Sequence, residues 1–325
     1  QSCWRALEDS GYTKDKIKQQ YDGDVGVYVG ITKTGFNLYG PALWNQDERT
    51  IPTTSFSSVA SRISYLFDLN GPSMPIDTMC SSSLVAIHEA VHSLKAGRCQ
   101  MAIVGGVNLY LHPASYVQLC ASSMLSQKGQ CHSFGDQADG FVPGEGVATL
   151  ILKPLRQAQA DGDRIYATIK GSAVNHGGAA KGYTVPNPKA QTAVIEKALN
   201  SANITAGELS YIEAHGTGTE LGDPIELNAL KACFSGNNLP ESSCAIGSVK
   251  SNIGHLEAAA GLAGVIKVVL QMQHRVLVPS LHAQTINPNL EFDQSPFYLQ
   301  RELIEWPSRN NRNRIAGVSS FGAAG

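Results

Sequence analysis

Ser73-Met74-Pro75-Ile76-Asp77-Thr78-Met79-Cys80-Ser81-Ser82-Ser83-Leu84 decides the fold. Ser73 to Thr78 reads as a short strand that runs straight into Cys80, and Ser81 to Ala96 reads as a helix. Leu84, Ile87, Val91 and Leu94 set an apolar stripe along that helix at helical spacing. A strand feeding a helix through a tight elbow is the building unit of α/β proteins. The same alternation continues outward. Val25 to Ile31 reads as a strand and Phe56 to Phe67 as a helix. Met101 to Val107 reads as a buried strand, and Val147 to Leu152 and Ile165 to Ile169 as further strands with a helix between them. The second half repeats the rhythm: helix Gln191 to Asn200, strand Tyr211 to Ala214, helix Pro224 to Phe234, strand Ala245 to Val249, and a long helix Leu256 to Met272 rich in Ala and Gly. The halves share a pattern but no recognisable residue identity, which suggests a duplicated α/β fold.

Composition narrows the function classes. The chain has 325 residues, 42% hydrophobic and 16% charged, the balance of a globular protein with a sizeable core. Lys and Arg total 25 against 27 Asp and Glu, so no basic excess is available to coat a nucleic acid duplex. Seven cysteines are scattered without a C-x-x-C pair, which points to reduced thiols in a reducing compartment. No apolar run is long enough to span a bilayer and no secretory signal opens the chain. Gln1 to Glu8 already reads as helix interior and Phe321 to Gly325 stops inside a loop, so the chain reads as an excerpt of a longer protein. The basic stretch Arg309 to Arg314 reads as a solvated loop.

Cys80 is the first residue with chemical promise. At the start of a helix, backbone N–H groups lack partners, and together with the helix dipole they favour a thiolate. The three serines after it suit a first turn, where small polar side chains leave room for a ligand. A buried structural thiol is the ordinary alternative, and local context alone leaves the two readings level. For the other six cysteines the structural reading is preferred. Two histidines stand at matching places in the second half. Glu213-Ala214-His215-Gly216-Thr217-Gly218-Thr219 puts one at a strand end before a loop of small residues, and Lys250-Ser251-Asn252-Ile253-Gly254-His255-Leu256-Glu257 repeats the arrangement. A single histidine there would read as a cap or a core residue. Two of them with one elbow cysteine describe a thiolate flanked by two imidazoles. The glycine pattern is not the G-x-G-x-x-G dinucleotide signature. His88-Glu89-Ala90-Val91-His92 matches H-E-x-x-H, the zinc-protease spacing, but it lies on the Cys80 helix and no third ligand follows at the expected distance.

In order and spacing, the cysteine segment, the His215 loop and the Lys250–His255 segment resemble the β-ketoacyl synthases. Gly140-Phe141-Val142-Pro143-Gly144-Glu145-Gly146 and Gly222-Asp223-Pro224-Ile225-Glu226 are similar to polyketide synthase ketosynthases. Met79, Asn175-His176-Gly177-Gly178 and Gly182-Tyr183-Thr184-Val185-Pro186-Asn187-Pro188 are similar to the trans-acyltransferase branch. The resemblance implies the thiolase fold: two pseudo-duplicated α/β halves, 1–155 and 156–325, in a five-layer α-β-α-β-α arrangement, forming one catalytic domain of a cytoplasmic homodimer. It implies Cys80 as nucleophile, His215 and His255 as the pair that holds the extender thioester and stabilises its enolate, and Lys250 as their electrostatic support. The Cys80 and Ala323 amides would form the oxyanion hole, and Thr217 and Thr219 would bind the phosphopantetheine arm of an acyl carrier protein. It implies no metal and no cofactor bound by the domain itself. The expected reaction is chain elongation by decarboxylative Claisen condensation. A transfer-only ketosynthase and a silent scaffold that docks carrier proteins are the alternatives.

Overall fold

The computed structural model describes residues 1–46, 55–180, 182, 185–235, 239–293, 295–308 and 313–323. Tyr183 and Thr184 of the Gly182–Pro188 motif, and residues 309–312 of the basic stretch, lie outside the described residues. The chain forms two compact units. The first comprises Gln1–Met124, Gly144–Ile165 and Glu257–Leu262, and the second Leu125–Pro143, Tyr166–Leu256 and Ala263–Gly325.

In the first unit α1 (Ser2–Asp9) and α2 (Lys14–Tyr21) precede β1 (Val25–Gly30). Helices α3 (Tyr39–Trp44) and α4 (Phe56–Phe67) lead to β2 (Ser73–Ile76), then α5 (Ser82–Lys95) to β3 (Met101–Asn108). Helix α6 (Ala114–Ala121), β4 (Gly146–Leu152) and α7 (Leu155–Ala160) follow. The sheet order is β2-β1-β3-β4, with β1 parallel to β2 and β3, and β4 antiparallel to β3. Every residue of β1 is buried, which is why its sequence is a continuous apolar run and not an alternating one. Val25, Val27 and Val29 pack with Leu7, Ile17, Tyr21, Phe67 and Met101. Gly30 ends β1 against the first turn of α5: a Cβ there would stand 2.7 Å from the Ser83 nitrogen and 2.8 Å from the Ser82 carbonyl carbon. A glycine is required for that approach.

The second unit holds α8 (Pro188–Ala202), β5 (Tyr211–Glu213), α9 (Gly222–Phe234), β6 (Cys244–Gly247), α10 (Lys250–Ile253) and most of α11 (Ala260–His274). After it come β7 (Val276–Leu277), β8 (Phe297–Leu299), β9 (Ile304–Glu305) and β10 (Ala316–Val318). The sheet order is β10-β5-β6-β8, all parallel, while β7 and β9 form a small antiparallel pair. Asn187 starts α8 by accepting from the Lys189 and Ala190 amides, with Pro188 in the first turn. Leu227, Leu230 and Phe234 of α9 pack with Ile212, Ile246, Phe297 and Phe134.

Three expectations change. Ile165 to Ile169 takes no place in a sheet, and Ile165 and Ile169 are exposed; apolar content alone does not make a strand without a ladder to join. The strand expected over Ala245 to Val249 stops at Gly247, and Val249 starts α10. The long helix begins at Ala260 and not at Leu256. Glu257 has a positive φ of 39° and opens a buried 3-10 turn, where its carboxylate accepts from Lys33 and Tyr110.

Gly30→Ala should destabilise the protein by about 2–3 kcal/mol, the scale of overpacking against backbone that cannot yield. Denaturant unfolding measures it, and a midpoint equal to wild type would contradict the close approach.

Candidate active site

The first unit contributes the elbow. Met79 adopts φ 55°, the left-handed region, immediately before Cys80, a conformation costing on the order of 1 kcal/mol for a non-glycine residue. Such a turn leaves backbone groups that no ladder satisfies, and side chains meet that need. The Ser82 hydroxyl accepts from the Thr78 N–H at 3.0 Å and donates to the Met79 carbonyl at 2.6 Å. The Ser81 hydroxyl donates to the Thr78 carbonyl at 2.7 Å, and the Asp77 carboxylate accepts from the Met79 N–H at 3.1 Å. The Ser83 hydroxyl accepts from the Leu262 N–H at 3.0 Å. Ser82 and Ser83 are wholly buried. The expectation that the serines leave room for a ligand is therefore corrected for these two: the Ser82 hydroxyl holds the turn, and the Ser83 hydroxyl bonds the first turn of α11.

All seven cysteines are free thiols. Burial pushes the Cys3, Cys99 and Cys131 thiols up, and Cys233 up to about 11, as expected of inert structural thiols. Cys80 is partly exposed at the strained turn before α5. His88 and His92 neighbour each other on α5, with ring centroids 4.3 Å apart and the rings tilted by 44°. No group of three or more His, Cys, Asp or Glu that could hold a metal ion occurs among the described residues.

The second unit brings together both predicted histidines and the lysine. The His215 and His255 rings meet edge to face, centroids 5.4 Å apart at 84°. His255 is 1% exposed; its N–H donates to the Val142 carbonyl at 2.8 Å and its ring lies edge-on to Phe141. His215 meets Phe321 edge-on at 5.8 Å. Its Nδ1 is buried and has no hydrogen-bond partner among the described residues. Burial first, then the Lys250 charge, holds the His215 pKa well below the ordinary histidine value. Lys250 is buried and donates to the His215 backbone carbonyl at 2.5 Å, so it grips the main chain of the loop as well as charging its surroundings.

Two acids quoted in the sequence motif without a role prove to hold this loop. Glu226 on α9 accepts from the His215 N–H at 2.7 Å and the Gly216 N–H at 2.8 Å. Asp223 accepts from the Phe134 N–H at 2.7 Å and the Gly218 N–H at 3.2 Å. Burial raises Glu226 to about 7 and Asp223 to about 6. Gly216 and Gly218 have φ of 41° and 75°, which only glycine adopts freely. Ser133 and Ser248 both donate to the Gly216 carbonyl. The signal for these residues was their spacing: one helical turn separates Asp223 from Glu226, placing both on the side of α9 facing the loop. Thr217 and Thr219 have hydroxyl oxygens 3.2 Å apart, and Thr219 accepts from the Gly222 N–H. Ala323 lies half-buried in the turn after β10.

With this geometry in view, the comparisons with known proteins are informative. The β-ketoacyl synthase N-terminal domain matches residues 1–158 and the β-ketoacyl synthase C-terminal domain matches residues 166–284. The chain belongs to the β-ketoacyl synthase family, whose members are acyltransferases, and its fold is the thiolase fold. It is 51% identical to polyketide synthase PksL of Bacillus subtilis, covering all of this chain and 7% of that protein. It is also 51% identical to polyketide synthase ThaG of Burkholderia thailandensis, covering all of this chain and 6% of that one. Among solved structures, the oxazolomycin ketosynthase domain OzmH KS7 of Streptomyces albus matches with a TM-score of 0.95 at 46% identity, over 99% of this chain and 56% of that one. The ketosynthase from module 6 of the bacillaene synthase of Bacillus subtilis matches with a TM-score of 0.92 at 46% identity, over 99% and 55%. The chain thus spans less than a tenth of these two curated relatives and just over half of these solved chains.

Because the folded-state pKa of His215 is depressed, its linked stability is present above the unfolded value near 6.5 and is lost as pH falls below it. Unfolding free energies between pH 7.5 and 5 should therefore fall less steeply in His215→Gln than in wild type. Equal slopes would show that His215 charges normally in the folded protein.

Proposed function

We propose that the chain is the condensing domain of a modular polyketide synthase, of the trans-acyltransferase type, and elongates an acyl chain by decarboxylative Claisen condensation. The observation that carries this reading is the edge-to-face His215–His255 pair, with His255 buried, the His215 pKa held low and its loop gripped by Lys250, in a family whose chemistry is acyl transfer. Residues 1–155 and 156–325 act as the two halves of one catalytic domain, the first supplying Cys80 and the second both histidines.

The Cys80 thiolate attacks the thioester carbonyl of an acyl carrier protein, and the phosphopantetheine thiol leaves. The tetrahedral oxyanion takes the Cys80 and Ala323 N–H groups as donors. Thr217 and Thr219 hydrogen-bond the phosphopantetheine arm. A malonyl carrier protein then replaces the first. As its carboxylate leaves as carbon dioxide, the electron pair of the broken bond becomes an enolate, whose oxygen the His215 and His255 imidazoles hold. An uncharged imidazole suits that task, since it donates a hydrogen bond without protonating the carbon nucleophile. The enolate carbon attacks the Cys80 thioester, a carbon–carbon bond forms, and the Cys80 thiolate departs. Lys250 stabilises the developing negative charge and fixes the His215 main chain.

The domain needs no cofactor of its own, since the substrates arrive on carrier proteins. It works with the other domains of its synthase, in the cytoplasm and as a homodimer. Among the described residues, no helix is long and apolar enough to cross a membrane.

The test loads the intact synthase domain at Cys80 with an acyl thioester, adds malonyl carrier protein and follows product mass. A two-carbon extension with carbon dioxide release is expected. Cys80→Ala should abolish it, and His255→Ala should lower it by at least about a hundredfold, the scale of losing one preorganised donor. Acylation without extension would mean a transfer-only domain, and no acylation a scaffold.

A further inference from the structure

Glu213 ends β5 two residues before His215 and is 1% exposed. Its side chain reaches the other histidine segment: Oε1 accepts from the Val249 N–H at 2.6 Å, at the start of α10. Its Oε2 accepts from Lys267 Nζ of α11 at 2.8 Å and from the Tyr211 hydroxyl at 2.7 Å. Lys267 also donates to the Tyr211 hydroxyl at 2.8 Å. The Glu213 carbonyl accepts from the Ser319 N–H at 2.9 Å, in the loop that carries Phe321.

These bonds close a ring. From Glu213 the main chain runs to the His215 carbonyl, which Lys250 holds; from Lys250 the main chain runs back to the Val249 N–H, which Glu213 holds. His215 and the helix leading to His255 are thereby tied at two points. Removing Glu213 would open this ring, leaving the loops joined through Lys250, the Ser248 hydroxyl on the Gly216 carbonyl and the Ala214 N–H on the Gly247 carbonyl. A buried ion pair is seldom a gain in stability over apolar packing, so its value here is geometric. Gly264 of α11 fits this placement, since a Cβ there would stand 3.0 Å from Glu213 Cγ.

We infer that Glu213, neutralised by Lys267 and steadied by Tyr211, is a positioning residue that sets the mutual geometry of the His215 and His255 loops for decarboxylation. The inference rests on the condensing function proposed above. It predicts a split between partial reactions: acylation of Cys80 does not need the ring, whereas loss of carbon dioxide from the malonyl thioester does.

The experiment uses the intact synthase domain with two double variants that each remove the buried charge pair, E213Q/K267M and E213A/K267M. Only the first keeps an acceptor for the Val249 N–H. Acetyl-N-acetylcysteamine reports Cys80 acylation by mass, and malonyl-N-acetylcysteamine reports carbon dioxide release. In E213A/K267M decarboxylation should fall roughly thirtyfold in kcat with KM unchanged, the scale seen when the partner that orients a functional group is lost. E213Q/K267M should stay within about threefold of wild type, and acylation within about twofold in both. V249P removes the donor and keeps both charges; the Val249 φ of −65° already suits proline. It should lose decarboxylation like E213A/K267M, and it decides the matter if that variant does not fold. The inference is overturned if decarboxylation is unchanged in E213A/K267M or V249P, if the two double variants fall equally, or if acylation falls in step. A wild-type domain that acylates but never releases carbon dioxide would instead sink the functional reading, and the inference with it.

Discussion

A loop that carries a candidate catalytic histidine on small residues has no ladder to hold it. In this protein buried carboxylates supply the hold. His215, Gly216 and Gly218 donate main-chain N–H bonds to Glu226 and Asp223, and Val249 donates to Glu213. Each bond replaces one that water would otherwise make, so the loop can be dry and still satisfied. The positive φ values of Gly216 and Gly218 follow from this, because the amides must turn toward the acids. The arrangement of the second unit around His215 and His255 depends on these carboxylate-to-amide bonds.

The first unit solves the same problem with hydroxyls. Around Met79 the strain of a left-handed residue is balanced by Ser81, Ser82 and Asp77, each bonding backbone within four residues in sequence. Hydroxyls and the one Asp77 carboxylate suffice at the elbow because helix α5 follows at once. The His215 loop, between β5 and α9, has a longer span without regular structure and takes the stronger, charge-assisted acceptors Glu226 and Asp223. The glycine at the end of β1 belongs to the same logic, since the Ser82–Ser83 backbone can sit where it does only if Gly30 carries no side chain.

Much of this was legible in the sequence. The strand–elbow–helix unit around Cys80, strands β1 and β3, helix α9 and both histidine loops follow from apolar runs, small-residue clusters and motif order. What could not be read was whichever feature depends on long-range partners. Ile165 to Ile169 has strand composition but no ladder. The start of α11 was misplaced because Glu257 is drawn into a turn by Lys33 and Tyr110, more than a hundred residues away in sequence. The one-turn spacing of Asp223 and Glu226 on α9 is a local signal, whereas nothing local announces that the Glu213 carboxylate faces the Val249 amide. Cys80 could be proposed as a nucleophile, whereas the role of Ser82 in shaping its turn could not.

The electrostatic balance of the second unit explains why an uncharged His215 and three buried acids coexist. Glu213, Glu226 and Asp223 face Lys250 and Lys267. Burial raises Glu226 to about 7 and Asp223 to about 6, so these two hold their negative charge less firmly than exposed carboxylates do. A protonated His215 would add a further positive charge beside Lys250, and burial would penalise it again. The neutral imidazole is thus the state the surroundings select, and it is also the state that can donate to an enolate oxygen without delivering a full proton. Lys250, which holds the loop at the His215 carbonyl, therefore bears on the histidine's protonation as well as its place, and both are set before any substrate arrives.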